Sequence, residues 1–124
     1  MTHGPSLFAA VIEPHAIVAD AVADFLRARG YDVLVATTHT GAAASVIARE
    51  RVEFLIAAVP APGEDRSGAY LAKARLKNPG MAIVIMLSDP DEPTEDAPLT
   101  AVRLLKPFDL EQLTRAIDQA HTAA

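Results

Sequence analysis

The chain has 124 residues, 51% of them hydrophobic and 22% charged, which suits one domain with its own core over residues 1–124. Its formal net charge is −5 and it has no basic run, which argues against nucleic-acid binding, because phosphate backbones are held by clustered Lys and Arg. It contains no cysteine, which excludes disulfides and thiolate zinc sites.

The first part of the chain predicts two strands separated by an amphipathic helix. Residues 7–12 form an apolar run suited to a buried strand. After it, apolar residues recur at spacings of three and four, which predicts a helix with this buried face: Val18, Ala21, Val22, Phe25 and Leu26. Gly30 is expected to end the helix. Residues 31–36 are predicted as the second strand, and an alanine-rich helix is predicted from about Gly41.

Three further apolar runs predict the remaining strands, at residues 54–59, 81–87 and 101–105. A helix is predicted at residues 70–77, between the third and fourth strands. Residues 89–98 hold three prolines and five acidic residues. Because proline is costly inside a helix, the helix expected there is shortened or absent.

The end of the chain predicts a helix with a defined start. Asp109 and Gln112 have the spacing of a capping box, in which each side chain accepts a hydrogen bond from the other residue's backbone. The predicted buried stripe of this helix is Leu110, Leu113, Ile117 and Ala120.

Strands that alternate with helices and are apolar on both faces predict an α/β fold, with a five-stranded parallel sheet covered by helices on both faces. The core is expected to span about residues 7–120. The N-terminus carries no basic region of a secretory signal, and no apolar stretch is long enough to span a membrane. We therefore expect a cytoplasmic protein without membrane contact.

The order of these elements resembles the receiver domain of two-component response regulators, the CheY-like type of flavodoxin-like fold. The resemblance extends from about residue 7 to residue 120. It rests on Gly30-Tyr31 before the second strand, Pro62-Gly63 after the third, Ser88 after the fourth, and Lys106-Pro107-Phe108 before the last helix. It also implies a cis bond between Lys106 and Pro107.

The resemblance implies a pocket at the carboxyl ends of the strands. In receiver domains, an aspartate on the third strand accepts a phosphoryl group from a histidine kinase. Two acidic residues after the first strand help to bind magnesium, and a hydroxyl and a lysine engage the phosphoryl group. The corresponding positions here are Glu13 and Pro14 for the acidic pair, Ala58 for the phosphoacceptor, Ser88 for the hydroxyl, Arg103 for an aromatic switch residue and Lys106 for the lysine.

These replacements predict a degenerate pocket. An alanine methyl group can neither attack phosphorus nor bind a cation, and magnesium requires hard oxygen ligands. We therefore expect no phosphorylation at Ala58, no Mg²⁺ site, no other cofactor and no catalytic residue.

Several alternatives remain open for the polar residues. Lys106 is interpreted as the ion-pair partner of Glu13, with recognition of an anion as the alternative. Glu64, Asp65 and Ser88 are poor substitutes as phosphoacceptors. The hypothesis that Glu13, His15 and His39 bind a metal is weaker than the interpretation that they are solvated loop residues. Residues 89–98 are either a docking loop or a solvated connection.

The resulting hypothesis is a stand-alone pseudo-receiver without enzymatic activity in two-component or phosphorelay signalling. It would act by contact with a protein such as a histidine kinase or phosphotransferase, through the first helix and the loop into the last helix. One alternative is a flavodoxin-like protein or enzyme that binds a small anion in the pocket of Glu13, Ser88 and Lys106. Another is a receiver domain that still accepts phosphate on an unusual residue. No glycine-rich phosphate loop follows the first strand, which weighs against the first alternative.

Overall fold

The computed structural model describes residues 7–38, 52–59, 79–91 and 101–123. The five predicted strands are confirmed, and no boundary differs from the prediction by more than one residue. The helices predicted from about Gly41 and at residues 70–77, and the shortened helix within residues 89–98, lie wholly or partly outside the described residues. The described elements are β1 (Leu7–Ile12), α1 (Ala16–Ala28), β2 (Tyr31–Ala36), β3 (Phe54–Ala58), β4 (Ala82–Leu87), β5 (Val102–Leu105) and α2 (Leu110–Ala123).

All strand pairs are parallel, and the order across the sheet is β2-β1-β3-β4-β5. This is the strand order of flavodoxin-like folds, in which ligands bind at the carboxyl ends of the strands. Every residue of β3 and β4 is buried. The predicted five-stranded parallel sheet is therefore confirmed, and its uninterrupted apolar strands lie at the centre, where both faces are covered.

The core lies on both faces of the sheet. On one face, α1 and α2 pack against alternate residues of β1, β3 and β4, including Val11, Ile56 and Val84. The opposite face buries the intervening residues, including Leu55 and Ile83. Both described helices therefore lie in the same layer.

The buried face of α1 is rotated from the predicted one. Val22 and Leu26 are buried as predicted, but the other buried positions are Ala19 and Ala23. Val18 and Phe25 are only partly buried, and Ala21 is exposed. The prediction was wrong here because apolar residues surround much of this helix, and small alanines on the inner face allow α1 to lie close to the sheet.

The end of α1 and the start of α2 follow from local sequence. Gly30 has a φ of +95°, a left-handed conformation that favours glycine, and its N–H donates to the Arg27 carbonyl. The capping box is confirmed, because Asp109 N donates to Gln112 Oε1 at 2.9 Å and Gln112 N donates to Asp109 Oδ1 at 2.7 Å.

The buried stripe of α2 consists of Leu113, Ala116, Ile117 and Ala120. Leu110 is 63% exposed, so its predicted burial is wrong. It is the first residue of the helix and lies nearly one turn before the first buried position. Among the described helices, none is long and apolar enough to cross a membrane.

Candidate functional site

The strand register brings the predicted site residues to one edge of the sheet. Ile12 is aligned with Ala57 and Ala57 with Ile85, so Glu13 and Ala58 each follow immediately at the carboxyl ends of adjacent strands. Ser88 and Lys106 come one residue after β4 and β5. The backbone N–H of Lys106 donates to the Leu87 carbonyl at 2.7 Å, which holds the end of β5 beside β4.

Glu13 is the centre of the polar contacts at this edge. Its side chain is completely buried. Lys106 Nζ donates to Glu13 Oε1 at 2.5 Å, which confirms the predicted ion pair. The other oxygen, Oε2, contacts the backbone N of His15 at 3.1 Å and His15 Nδ1 at 3.2 Å. Both carboxylate oxygens are therefore engaged by groups of the protein itself.

These contacts keep Glu13 ionised. Burial by itself raises the pKa of a carboxyl group, because it disfavours the charged form. The Lys106 ammonium and the two nitrogen contacts from His15 act in the opposite direction and prevail, so the pKa of Glu13 is lowered. A buried charge is thus retained because a cation and hydrogen-bond donors surround it.

Lys106 reaches Glu13 from the segment that joins β5 to α2. Its side chain is 16% exposed. The peptide bond between Lys106 and Pro107 is cis, as the resemblance implies, and Phe108 packs against the core beneath α1 and α2. This segment is therefore attached at both ends, to β4 through its backbone and to the core through Phe108.

The other predicted site residues are placed as follows. Ala58 is the last residue of β3 and is 7% exposed. Pro14 is exposed in the turn before α1. Arg103 is aligned with Ile85, but its Nη1 donates to the Ala101 carbonyl at 3.4 Å, along its own strand. The structure thus joins Glu13 with Lys106 and leaves Arg103 outside their contacts.

A groove of about 440 Å³ lies beside the ion pair. Ile17, Val18 and Ala21 of α1 line one side, and Ser88, Lys106 and Phe108 line the other. His15, which contacts Glu13, also lines it. Ile17 is 87% exposed, the highest value among the large apolar side chains described. The groove is therefore mainly apolar, and its polar lining residues are His15, Ser88 and Lys106.

One contributor to this site was missed in the sequence. His15 was interpreted as a solvated loop residue, yet it binds Glu13 through both its backbone and its ring. The available signal was the spacing Glu13-Pro14-His15, because a residue two positions after a carboxylate can donate its backbone N–H to it. Within the described parts of the chain, no three His, Asp or Glu residues are placed to share a metal ion.

No family model and no curated protein matches this sequence. Solved structures do match. A response regulator receiver protein from Sinorhizobium medicae is 18% identical, with 95% of this chain and 96% of that chain covered and a TM-score of 0.80. The signal receiver domain of an HD domain-containing protein from Pseudomonas fluorescens is 21% identical, with 98% and 91% covered and a TM-score of 0.74.

A third match is the receiver domain of a sensor histidine kinase from Pseudomonas aeruginosa, which has a magnesium ion coordinated in its active site cleft. It is 16% identical, with 95% of this chain and 99% of that chain covered and a TM-score of 0.74. At these identities the likeness establishes the fold. The chain has the CheY-like, flavodoxin-like architecture of receiver domains.

Proposed function

We propose that this chain is a pseudo-receiver, a signalling domain of two-component or phosphorelay pathways that acts by contact with a protein and not by aspartyl phosphorylation. The observation that carries this proposal is Ala58 at the carboxyl end of β3, next to Glu13. An aspartyl phosphate needs a carboxylate oxygen as the attacking atom. The methyl group of Ala58 supplies none, so signalling by protein contact, without enzymatic activity, is the function that fits.

The pocket also fits magnesium poorly. A magnesium ion demands near-octahedral oxygen ligands and usually has one or two carboxylates among them. Here Glu13, the carboxylate that follows β1, has Lys106 on one oxygen and His15 on the other. Neither Pro14 nor Ala58 has a side-chain oxygen. We infer that the Mg²⁺ site is lost, and that Lys106 stands in place of the cation beside Glu13.

The docking surface we propose is the start of α1 together with the segment from Lys106 to the start of α2. Ile17 and Leu110 are 87% and 63% exposed, and each begins or nearly begins a helix at this edge of the sheet. The groove lined by Ile17 and Phe108 is mainly apolar, and an exposed apolar surface of this kind favours a protein contact. A histidine kinase, a phosphotransferase or another cytoplasmic signalling protein is the class of partner expected.

The test is phosphorylation with Mg²⁺ and acetyl phosphate, followed by intact mass and hydroxylamine treatment, which releases acyl phosphates. We expect no hydroxylamine-sensitive phosphoryl group on the wild-type protein. The control is the double variant Pro14→Asp/Ala58→Asp, which restores both oxygen ligands and is expected to gain such a group. A hydroxylamine-sensitive adduct on the wild-type protein would overturn the proposal.

The groove supports a second candidate function, the binding of a small anion at Ser88 and Lys106. Both residues line a cavity of about 440 Å³, which is large enough for a small molecule. The ion pair with Glu13 weakens this candidate, because it already neutralises the Lys106 ammonium. Amide NMR titration with phosphate or acetate, with Lys106→Met as the control, tests it. Saturable shifts at Ser88 that disappear in the variant would favour it.

A further inference from the structure

We propose that His15 is a phosphoacceptor, and that its Nε2 atom takes a phosphoryl group from a small phosphoramidate-type donor. This inference goes beyond the proposed function and does not depend on it. It rests on three features of the described residues: the contact of the His15 ring with Glu13, the accessibility of that ring, and the positions of Lys106 and Ser88 in the same groove.

The contact with Glu13 determines which ring nitrogen is the nucleophile. The carboxylate of Glu13 is ionised and pairs with Lys106, so it can only accept hydrogen bonds. His15 Nδ1 lies 3.2 Å from Glu13 Oε2 and must therefore be the protonated nitrogen. In the neutral ring, the lone pair available for attack then belongs to Nε2.

The ring is both fixed and accessible. Glu13 is buried, and it also accepts the backbone N–H of His15 at 3.1 Å, so the residue is held at two points. The His15 side chain is nevertheless 73% exposed. A carboxylate that orients an imidazole while its second nitrogen faces the reactant is the arrangement by which enzymes prepare a histidine for reaction.

The surroundings suit a phosphoryl group. His15, Ser88 and Lys106 line one groove, and Lys106 and His15 bind opposite oxygens of the same carboxylate. Because Lys106 pairs with Glu13, the carboxylate next to the ring does not present an unbalanced negative charge to a phosphoryl donor. His15 also directly precedes α1, whose first turn contains no acidic residue, so the helix dipole attracts an anion there.

Transfer of the phosphoryl group from phosphoramidate to His15 forms one bond and breaks another. The Nε2 lone pair forms a bond to phosphorus, and the bond between phosphorus and the nitrogen of phosphoramidate breaks. That nitrogen is already protonated in the zwitterionic donor at neutral pH, so it leaves as neutral ammonia. The ring keeps its Nδ1 proton and becomes positively charged. Glu13, which lies against Nδ1, stabilises that charge.

The experiment treats the full chain with potassium phosphoramidate at neutral pH and locates the adduct by tandem mass spectrometry. His15→Asn is the test variant, because the Asn amide can still donate to Glu13 and Asn is favoured before a helix. His121→Asn is the matched control, since His121 lies in α2 and contacts Tyr31. We expect an acid-labile, alkali-stable adduct that is lost in His15→Asn and retained in His121→Asn.

Glu13→Gln tests the positioning role of Glu13. The Gln oxygen would accept from Lys106, and its NH2 group would replace the oxygen that accepts from both the backbone N–H and Nδ1 of His15, so Nδ1 would lose the acceptor that holds its proton. We expect the ring ¹⁵N shifts of His15 to report this change of tautomer and the adduct to be lost. Labelling of His121 in preference to His15, or no labelling, would overturn the inference and leave the proposed function intact. An alkali-labile adduct, as an acyl phosphate gives, that persists in His15→Asn would overturn both.

Discussion

Removal of the Lys106 ammonium directly tests how much the ion pair with Glu13 stabilises the fold. Lys106→Met keeps most of the side-chain length but leaves the completely buried Glu13 without its cation. Loss of one member of a buried ion pair costs about 3 to 5 kcal/mol, because an uncompensated charge stays behind. Glu13 keeps two hydrogen bonds from His15, so we expect a loss near the lower end, about 3 kcal/mol.

The matched variant is Glu13→Gln. The Lys106 side chain is 16% exposed and can reach water, so its unpaired charge should cost less, about 1 to 2 kcal/mol. The double variant Glu13→Gln/Lys106→Met removes both charges, and its cost should fall below the sum of the single costs by about 1 kcal/mol or more.

The assay is urea unfolding at pH 7 for the wild-type protein and the three variants, with the free energy of unfolding taken from midpoints and slopes. If Lys106→Met lowered the free energy of unfolding by less than about 0.5 kcal/mol, as a surface substitution does, the assigned burial and ionisation of Glu13 would be wrong. Full additivity in the double variant would show that the two side chains do not interact.

Three further outcomes are expected. Because the pKa of Glu13 is lowered, ionised Glu13 stabilises the fold above its ordinary pKa of 4.5, and this stabilisation is lost as the pH falls through the pKa of the folded state. Urea unfolding between pH 6 and pH 3 should therefore show a decrease in the free energy of unfolding. The decrease should be smaller in Glu13→Gln. Asp109→Ala removes the capping side chain of α2 and should lower the free energy of unfolding by about 1 kcal/mol, measured in the same assay; no change would contradict the capping role. Ile17→Ser should leave that free energy within about 0.5 kcal/mol of wild type, whereas Leu26→Ala should cost about 2 to 5 kcal/mol, because Ile17 is exposed and Leu26 is buried.

The strands and the start of α2 could be predicted because their causes are local. Each strand is a short apolar run bounded by turn-forming or polar residues, and β4 is buried throughout, as its composition indicates. Asp109 and Gln112 are three residues apart and cap α2 without help from the rest of the fold. The absence of a carboxylate at the end of β3 was likewise evident from Ala58 itself.

The inward faces of the helices could not be read from the same pattern. Ala21 and Leu110 were placed in the core on apolar spacing, and both are exposed. Spacing defines an apolar stripe, but the rotation and the end position of a helix against the sheet decide which members of that stripe lose contact with water.

The polar contacts around Glu13 likewise depend partly on local sequence and partly on tertiary structure. The sequence by itself determined that β3 ends without an acidic side chain, because that depends on one residue. Only the tertiary structure decided that Lys106 meets Glu13 across a separation of 93 residues, and that His15 binds the remaining oxygen of this carboxylate. The physical reason is the parallel sheet, which brings the ends of strands distant in sequence to one edge, where a buried charge must find its partners.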